Sequence, residues 1–236
     1  MEKLDRKELK HDRFAEEVQH SVDYVAGHKS QFTLYAGIAA ALLVVGLGGY
    51  YYMDKTRSDR QLELMEAVKI QEGAVVAPGA NAPAGLKTFP SEAAKSEAAT
   101  KAFSNLALKY SGKDEGEVAR YYMGVIAADQ GKLDDAAKHF QTVVSNAGKD
   151  YSSLAKFSLA QINALQGKQA DAEKLLSELE GSPTILVSKE QAIIERARIM
   201  GKTKPEEARK LLEPLRSSDR PLVSRSAIST LAELGK

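Results

Sequence analysis

Side chains that could do chemistry are few in this chain and poorly spaced for it. The four histidines are His11, His20, His28 and His139. None sits in an HExxH pattern, which sets two imidazoles on one helical face for a metal, and none has the partners of a nucleophilic triad. Cysteine is absent, which excludes disulfides, thiolate-bound zinc and a thiol nucleophile. The only echo of a phosphate loop is Gly201-Lys202-Thr203. Its required first glycine would fall at position 196, which is Arg196, and the site reads as a helix-helix turn with no strand before it. Gly-Lys pairs also punctuate turns at Gly112, Gly131, Gly148 and Gly167. A function must rest on a site. The sequence therefore argues against an enzyme and assigns no catalytic residue, metal ligand or cofactor. With 33 basic against 32 acidic residues, a net charge of +1 gives no basic cluster to neutralise phosphates, so nucleic acid is not an expected partner.

The elements that must position a binding surface are clearer. The run from Gln31 to Met53 carries no charge and is rich in Ala, Leu, Val and Gly. As a helix, Phe32–Met53 would be roughly 33 Å long, which matches a bilayer's hydrocarbon core. Phe32 and Tyr35 at one end, and Tyr50, Tyr51 and Tyr52 at the other, suit the headgroup level, and Lys29, Asp54, Lys55 and Arg57 close the run. A signal peptide would need a short basic start and a shorter apolar stretch. The spacing therefore predicts a retained transmembrane helix at 32–53.

Around the span, residues 1–31 form a polar tail in which Phe14, Val18, Val22 and Val25 line one side of an amphipathic helix. That helix would lie on the membrane, on a neighbour, or on a docking partner. A juxtamembrane helix is expected at 54–72, and Pro78, Pro83 and Pro90 with Gly73, Gly79 and Gly85 mark 73–90 as a Pro/Gly/Ala-rich loop, not a strand. Residues 91–236 form the remaining domain. Gly37 with Ala41, and Ala36 with Ala40, are small-xxx-small pairs that would allow a homodimer or packing on another span.

The domain at 91–236 contains an internal repeat. Ala136, Ala172 and Ala208 recur every 36 residues; four residues on stand Phe140, Leu176 and Leu212, and seven on Val143, Leu179 and Leu215. Gly131 with Gly167, and Gly124 with Ala160, keep the same period. Small residues let paired helices approach, glycine ends the first helix, and the large residue fills the gap to the next repeat. A third copy is degenerate: Arg196 falls at the small position and Thr203 at the glycine, so its register is open by one. Ser188 with Gln191, and Thr203 with Glu206, are spaced as capping boxes, and Pro205 suits a first turn. Ala99, Phe103 and Leu106 read as the second helix of an earlier, incomplete repeat, and Leu222–Leu234 as a closing helix. The expected class is all-α: one transmembrane helix followed by a short helical solenoid of about three and a half repeats.

These ladders resemble the tetratricopeptide repeat, a helix pair of about 34 residues. Met123 and Gly124 match its Leu-Gly pair, Gly131 its inter-helix turn, Ala136 its small position and Phe140 its aromatic; Leu159, Ala160, Gly167, Ala172 and Leu176 take the same places in the next copy. The family's geometry implies a concave groove lined by Tyr121, Val125 and Ala128, then Phe157, Gln161 and Ala164, then Ile193 and Ala197. The same residues would be ordinary core if helices at 56–71 or 91–110 covered them.

The whole layout is similar to the YfgM-like ancillary subunits of the bacterial SecYEG translocon. That resemblance implies a single-pass inner-membrane protein with a cytoplasmic N-terminus and a periplasmic repeat domain. Its partners would be translocon subunits, periplasmic chaperones or secreted clients, bound in a chaperone role. Flanking charge alone is divided on orientation. Near the span, Arg13 and Lys29 oppose Lys55, Arg57, Arg60 and Lys69, whereas the whole tail carries six basic residues. Two other readings stand beside this one: a structural scaffold of an envelope or division complex, and an adaptor whose tail recruits a regulator.

Overall fold

The computed structural model describes residues 29–76 and 85–234, with side chains described from residue 41. The amphipathic helix expected at Phe14–Val25 lies outside the described residues. The chain divides into two compact units, Met1–Ser58 and Asp59–Lys236.

In the first unit the described backbone is helical from Lys29, the start of α1 (Lys29–Gln71). Leu42, Leu43, Val44, Val45, Leu47 and Tyr50 to Met53 are exposed, at 61% to 73%. Thr56 Oγ1 donates back to the carbonyls of Tyr52 and Met53, both at 2.9 Å, which hides its hydroxyl within the helix. Among the described residues no helix is long and apolar enough to cross a membrane. Residues 32–40 lie outside those whose side chains are described, so the span expected at 32–53 falls only partly within them.

The second unit is an all-α solenoid. Its elements are the end of α1, then α2 (Glu92–Lys109), α3 (Asp114–Asp129), α4 (Leu133–Asn146), α5 (Lys149–Leu165), α6 (Gln169–Gly181), α7 (Lys189–Met200), α8 (Pro205–Leu212) and α9 (Pro221–Glu233). A 3-10 turn at Glu213–Leu215 follows α8. Antiparallel pairs α3/α4, α5/α6 and α7/α8 stack in chain order. The loop expected at 73–90 holds one short feature that its Pro and Gly content concealed: β1 (Ala74–Val75) pairs in parallel with β2 (Thr88–Phe89).

The repeat ladder forms the core. Ala99, Ala136, Ala172 and Ala208 are fully buried, and so are the residues one turn on: Phe103, Phe140, Leu176 and Leu212. The earliest repeat proves complete, because Ala67 of α1 packs with Ala99, Phe103 and Leu106 of α2. Asp59–Gln71 thus stands as its first helix, ahead of the pairs α3/α4, α5/α6 and α7/α8. Arg60 to Glu115 (2.8 Å) and Lys109 to Glu63 (2.7 Å) clamp α1 onto α3 and α2. At the far end α9 closes the stack by burying Ala227 and Thr230 against α7 and α8.

Turn chemistry explains the register. Gly131 (φ 73°) and Gly167 (φ 78°) end α3 and α5 in left-handed backbone. In both, the residue after the glycine donates five residues back, Lys132 to Ala127 and Lys168 to Asn163, and the glycine donates three back. This is the Schellman arrangement, which satisfies the last helical carbonyls. The third turn lacks it. Gly201 is right-handed, and Lys204 donates to Met200. Ala197 lies eleven residues before Ala208, against twelve for Gly124–Ala136 and Ala160–Ala172, and it, not Arg196, is the small residue facing Ala208 and Leu212. Arg196 instead pairs with Glu180 at 2.7 Å. The capping box at Ser188 and Gln191 forms, with bonds of 3.2 and 3.0 Å. The one expected at Thr203 and Glu206 does not, because Pro205 opens α8 and makes Lys204 its N-cap.

Candidate functional site

The first helices of three successive pairs, α3, α5 and α7, enclose a cavity of about 600 Å³. Tyr121, Val125, Ala128 and Asp129 line it from α3; Ser158, Gln161, Ile162, Ala164 and Leu165 from α5; Glu195, Arg198 and Ile199 from α7, with Lys202 just beyond; Phe140 and Gln169 complete it. Neither Asp59–Gln71 nor α2 contributes a lining residue. Those helices stack at the first pair instead of folding over the groove.

Aromatic contacts build the α3 wall. Tyr121 meets Phe140 at 5.4 Å and Tyr151 at 6.3 Å between ring centroids, while Tyr122 stacks on Phe103 at 4.7 Å. Offset and tilted rings at these separations attract through their quadrupoles and fix the wall's shape. Gly124 permits this packing: a methyl group there would lie 2.7 Å from the Phe140 ring. The Tyr121 hydroxyl reaches Ser158 Oγ at 3.2 Å, joining α3 to α5. Burial holds both phenols, Tyr121 and Tyr122, above the usual tyrosine range. They remain protonated at neutral pH.

The α7 wall is polar. Glu195, 8% exposed, takes Gln161 Nε2 on one oxygen at 3.2 Å and Arg198 on the other at 2.6 Å. Arg198 also reaches Thr230 at 3.5 Å and Glu233 at 3.8 Å on α9. Its guanidinium is thus paired with carboxylates on α7 and α9 while about half of the side chain stays exposed, at 49%.

Of the groove residues expected from the sequence, Tyr121, Val125, Ala128, Gln161 and Ala164 line this cavity together. Phe157 is half-buried against the core around Ala160 and Leu176. Ile193 is half-buried and outside the lining, and Ala197 is fully buried in the last core cluster. The shift of the small position from Arg196 to Ala197 is the reason. Counted from Ala197 as the small position, Arg198 stands where Val125 and Gln161 stand in the earlier pairs. Sequence reasoning missed Ser158, Glu195, Arg198 and Lys202, and that one-residue shift was the signal for the last three. Remote from the groove, His139 lines a separate cavity of about 350 Å³ with Asp135 and Lys138. Burial, then the nearby Arg120, lowers its affinity for a proton. Among the described residues no group of His, Cys, Asp or Glu could hold a metal ion.

The model of the tetratricopeptide repeat-like domain family matches residues 29–183. Two solved structures similar to the chain are crystal structures of nearly identical TPR-like repeats of a Podosopora anserina protein described as a kinesin light chain, one of them carrying a single substitution. Identities are 14% for the substituted protein and 13% for the other; each match covers 75% of this chain and 85% of the other, with a TM-score of 0.55. At such identity the likeness concerns the fold alone. No curated protein matches the chain.

Proposed function

Because the chain belongs to the tetratricopeptide repeat-like domain family, we propose that it is a non-enzymatic binding protein that holds a peptide-receiving groove at a bacterial inner membrane. The observation that carries this reading is the cavity across α3, α5 and α7, with one apolar aromatic wall and one hydrogen-bonding wall. Apolar clefts with a few placed polar groups are the usual form of a recognition site, and repeat proteins bind partners along such faces. Protein is the partner class this fold serves.

The finer reading is ancillary service to an export channel. The uncharged run Gln31–Met53, with exposed apolar side chains over its described part, supports a membrane anchor. The layout of tail, apolar run and repeat domain supports a cytoplasmic N-terminus and a periplasmic solenoid beside the translocon. Clients would be exported chains still unfolded, or the chaperones that receive them. Photo-crosslinkers at Ala128 and Gln161, in the full chain in cell membranes, test this directly. Capture of translocon subunits, envelope chaperones or exported chains is expected; capture of none refutes it. Protease reaching the C-terminal unit in spheroplasts, and not in intact cells, is the expected topology.

A further inference from the structure

Charge along one edge of the groove is ordered. The first helices cross it in the sequence α3, α5, α7, and their C-terminal ends form that edge. Asp129 ends α3, Leu165 ends α5 with 69% of its surface exposed, and Lys202 follows α7. The edge thus reads carboxylate, apolar, ammonium.

Asp129 is not placed for its helix, whereas Lys202, just past the C-terminus of α7, suits that helix's macrodipole. A carboxylate at a helix C-terminus opposes the macrodipole, a cost of about 0.3–1 kcal/mol. Among the described residues Asp129 and Lys202 enter no ion pair. Lys132, close in sequence to Asp129, is not among this cavity's lining residues; with Lys95 it lines a neighbouring cavity that Asp129 also borders. The other charges of the lining, Glu195 and Arg198, neutralise each other at 2.6 Å.

Resting on the groove reading above, we propose that this site takes an extended peptide segment whose two ends carry opposite charge. Its ammonium or guanidinium end lies at Asp129 and its carboxylate end at Lys202, with short apolar residues between them against Val125, Ala164 and Leu165. Length fits. Packed helices lie roughly 8–10 Å apart, so α3 to α7 spans roughly 16–20 Å. At about 3.3 Å per residue that is five or six extended residues. Gln161, whose Nε2 donates to Glu195, keeps its Oε1 to accept a backbone N–H midway. Exposed ion pairs contribute little each, but their reversal penalises the wrong partner at both ends, so the charge pattern selects among segments of equal hydrophobicity.

The test uses three fluorescent, end-blocked pentapeptides with a Leu-Ala-Leu centre: one with Lys and Glu at its ends, one with Glu at both, one with Lys at both. Binding to the full chain in detergent is read by anisotropy. The mixed-charge probe is expected to bind about ten-fold more tightly than either other probe at low salt, and salt should erase that margin. Asp129→Lys should transfer the preference to the doubly acidic probe, and Lys202→Glu to the doubly basic one. Equal binding of all three probes overturns the charge-order proposal and leaves the groove reading standing. Binding of none overturns both.

Discussion

Replacing Gly124 with alanine has opposite signs in two backgrounds, which makes it a sharp probe of the packing. In a helix interior Gly→Ala gains about 1 kcal/mol from backbone entropy alone. Here the added methyl would lie 2.7 to 3.0 Å from three atoms of the Phe140 ring. Overpacking of that kind costs about 1–3 kcal/mol, so the net effect is destabilisation of about 0–2 kcal/mol. The next repeat solves the same contact differently, with Ala160 and Leu176 both fully buried. Introducing Phe140→Leu should therefore remove the obstacle and let Gly124→Ala stabilise by about 0.5–1 kcal/mol, with a coupling energy of about 0.5–3 kcal/mol. Urea and thermal unfolding of the four proteins in the cycle measure it; a domain of this size shifts by about 2–4 °C per kcal/mol. If Gly124→Ala stabilises both backgrounds equally, the Gly-Phe and Ala-Leu pairs are not alternative fillings of one contact.

Three further outcomes are expected. Gly131→Ala and Gly167→Ala, at φ 73° and 78°, should each lower stability by about 1–2 kcal/mol, whereas Gly181→Ala, in the helical backbone of α6 with open space around it, should not; thermal melts compare them. Ser188→Ala removes a formed cap and should cost about 1 kcal/mol in denaturant unfolding, while Thr203→Ala, outside the cap of α8, stays within about 0.5 kcal/mol. Burial and then Arg120 depress His139, so as pH falls below about 6.5 the unfolded chain takes up the proton first and stability declines. His139→Gln should flatten that slope in melts between about pH 7 and 5.

Much of the solenoid is legible because its core is written in fixed steps: Ala, then Phe or Leu four residues on, then Val or Leu three further. Tertiary packing demands this of every copy, so position alone reveals it. What hid was what departs from the period. The first helix of the first pair runs on from the apolar run and is separated from α2 by the stretch 73–90, so nothing in its spacing ties Ala67 to Ala99. The third copy has one residue fewer between its small position and Ala208 and no left-handed glycine, which places Ala197 in the core and Glu195, Arg198 and Lys202 at the groove. The apolar half of the site followed from the repeat; its charged half depended on a register that one sequence does not announce.

The central claim is that the groove across α3, α5 and α7 receives protein segments. Ala128→Arg with Leu165→Arg fills its open edge at two side chains that are not fully buried. Binding of an unfolded exported polypeptide to the full-length chain in detergent, compared with this double variant at equal thermal stability, tests the claim most directly. The account predicts a loss of affinity of about ten-fold or more. Unchanged affinity would contradict it.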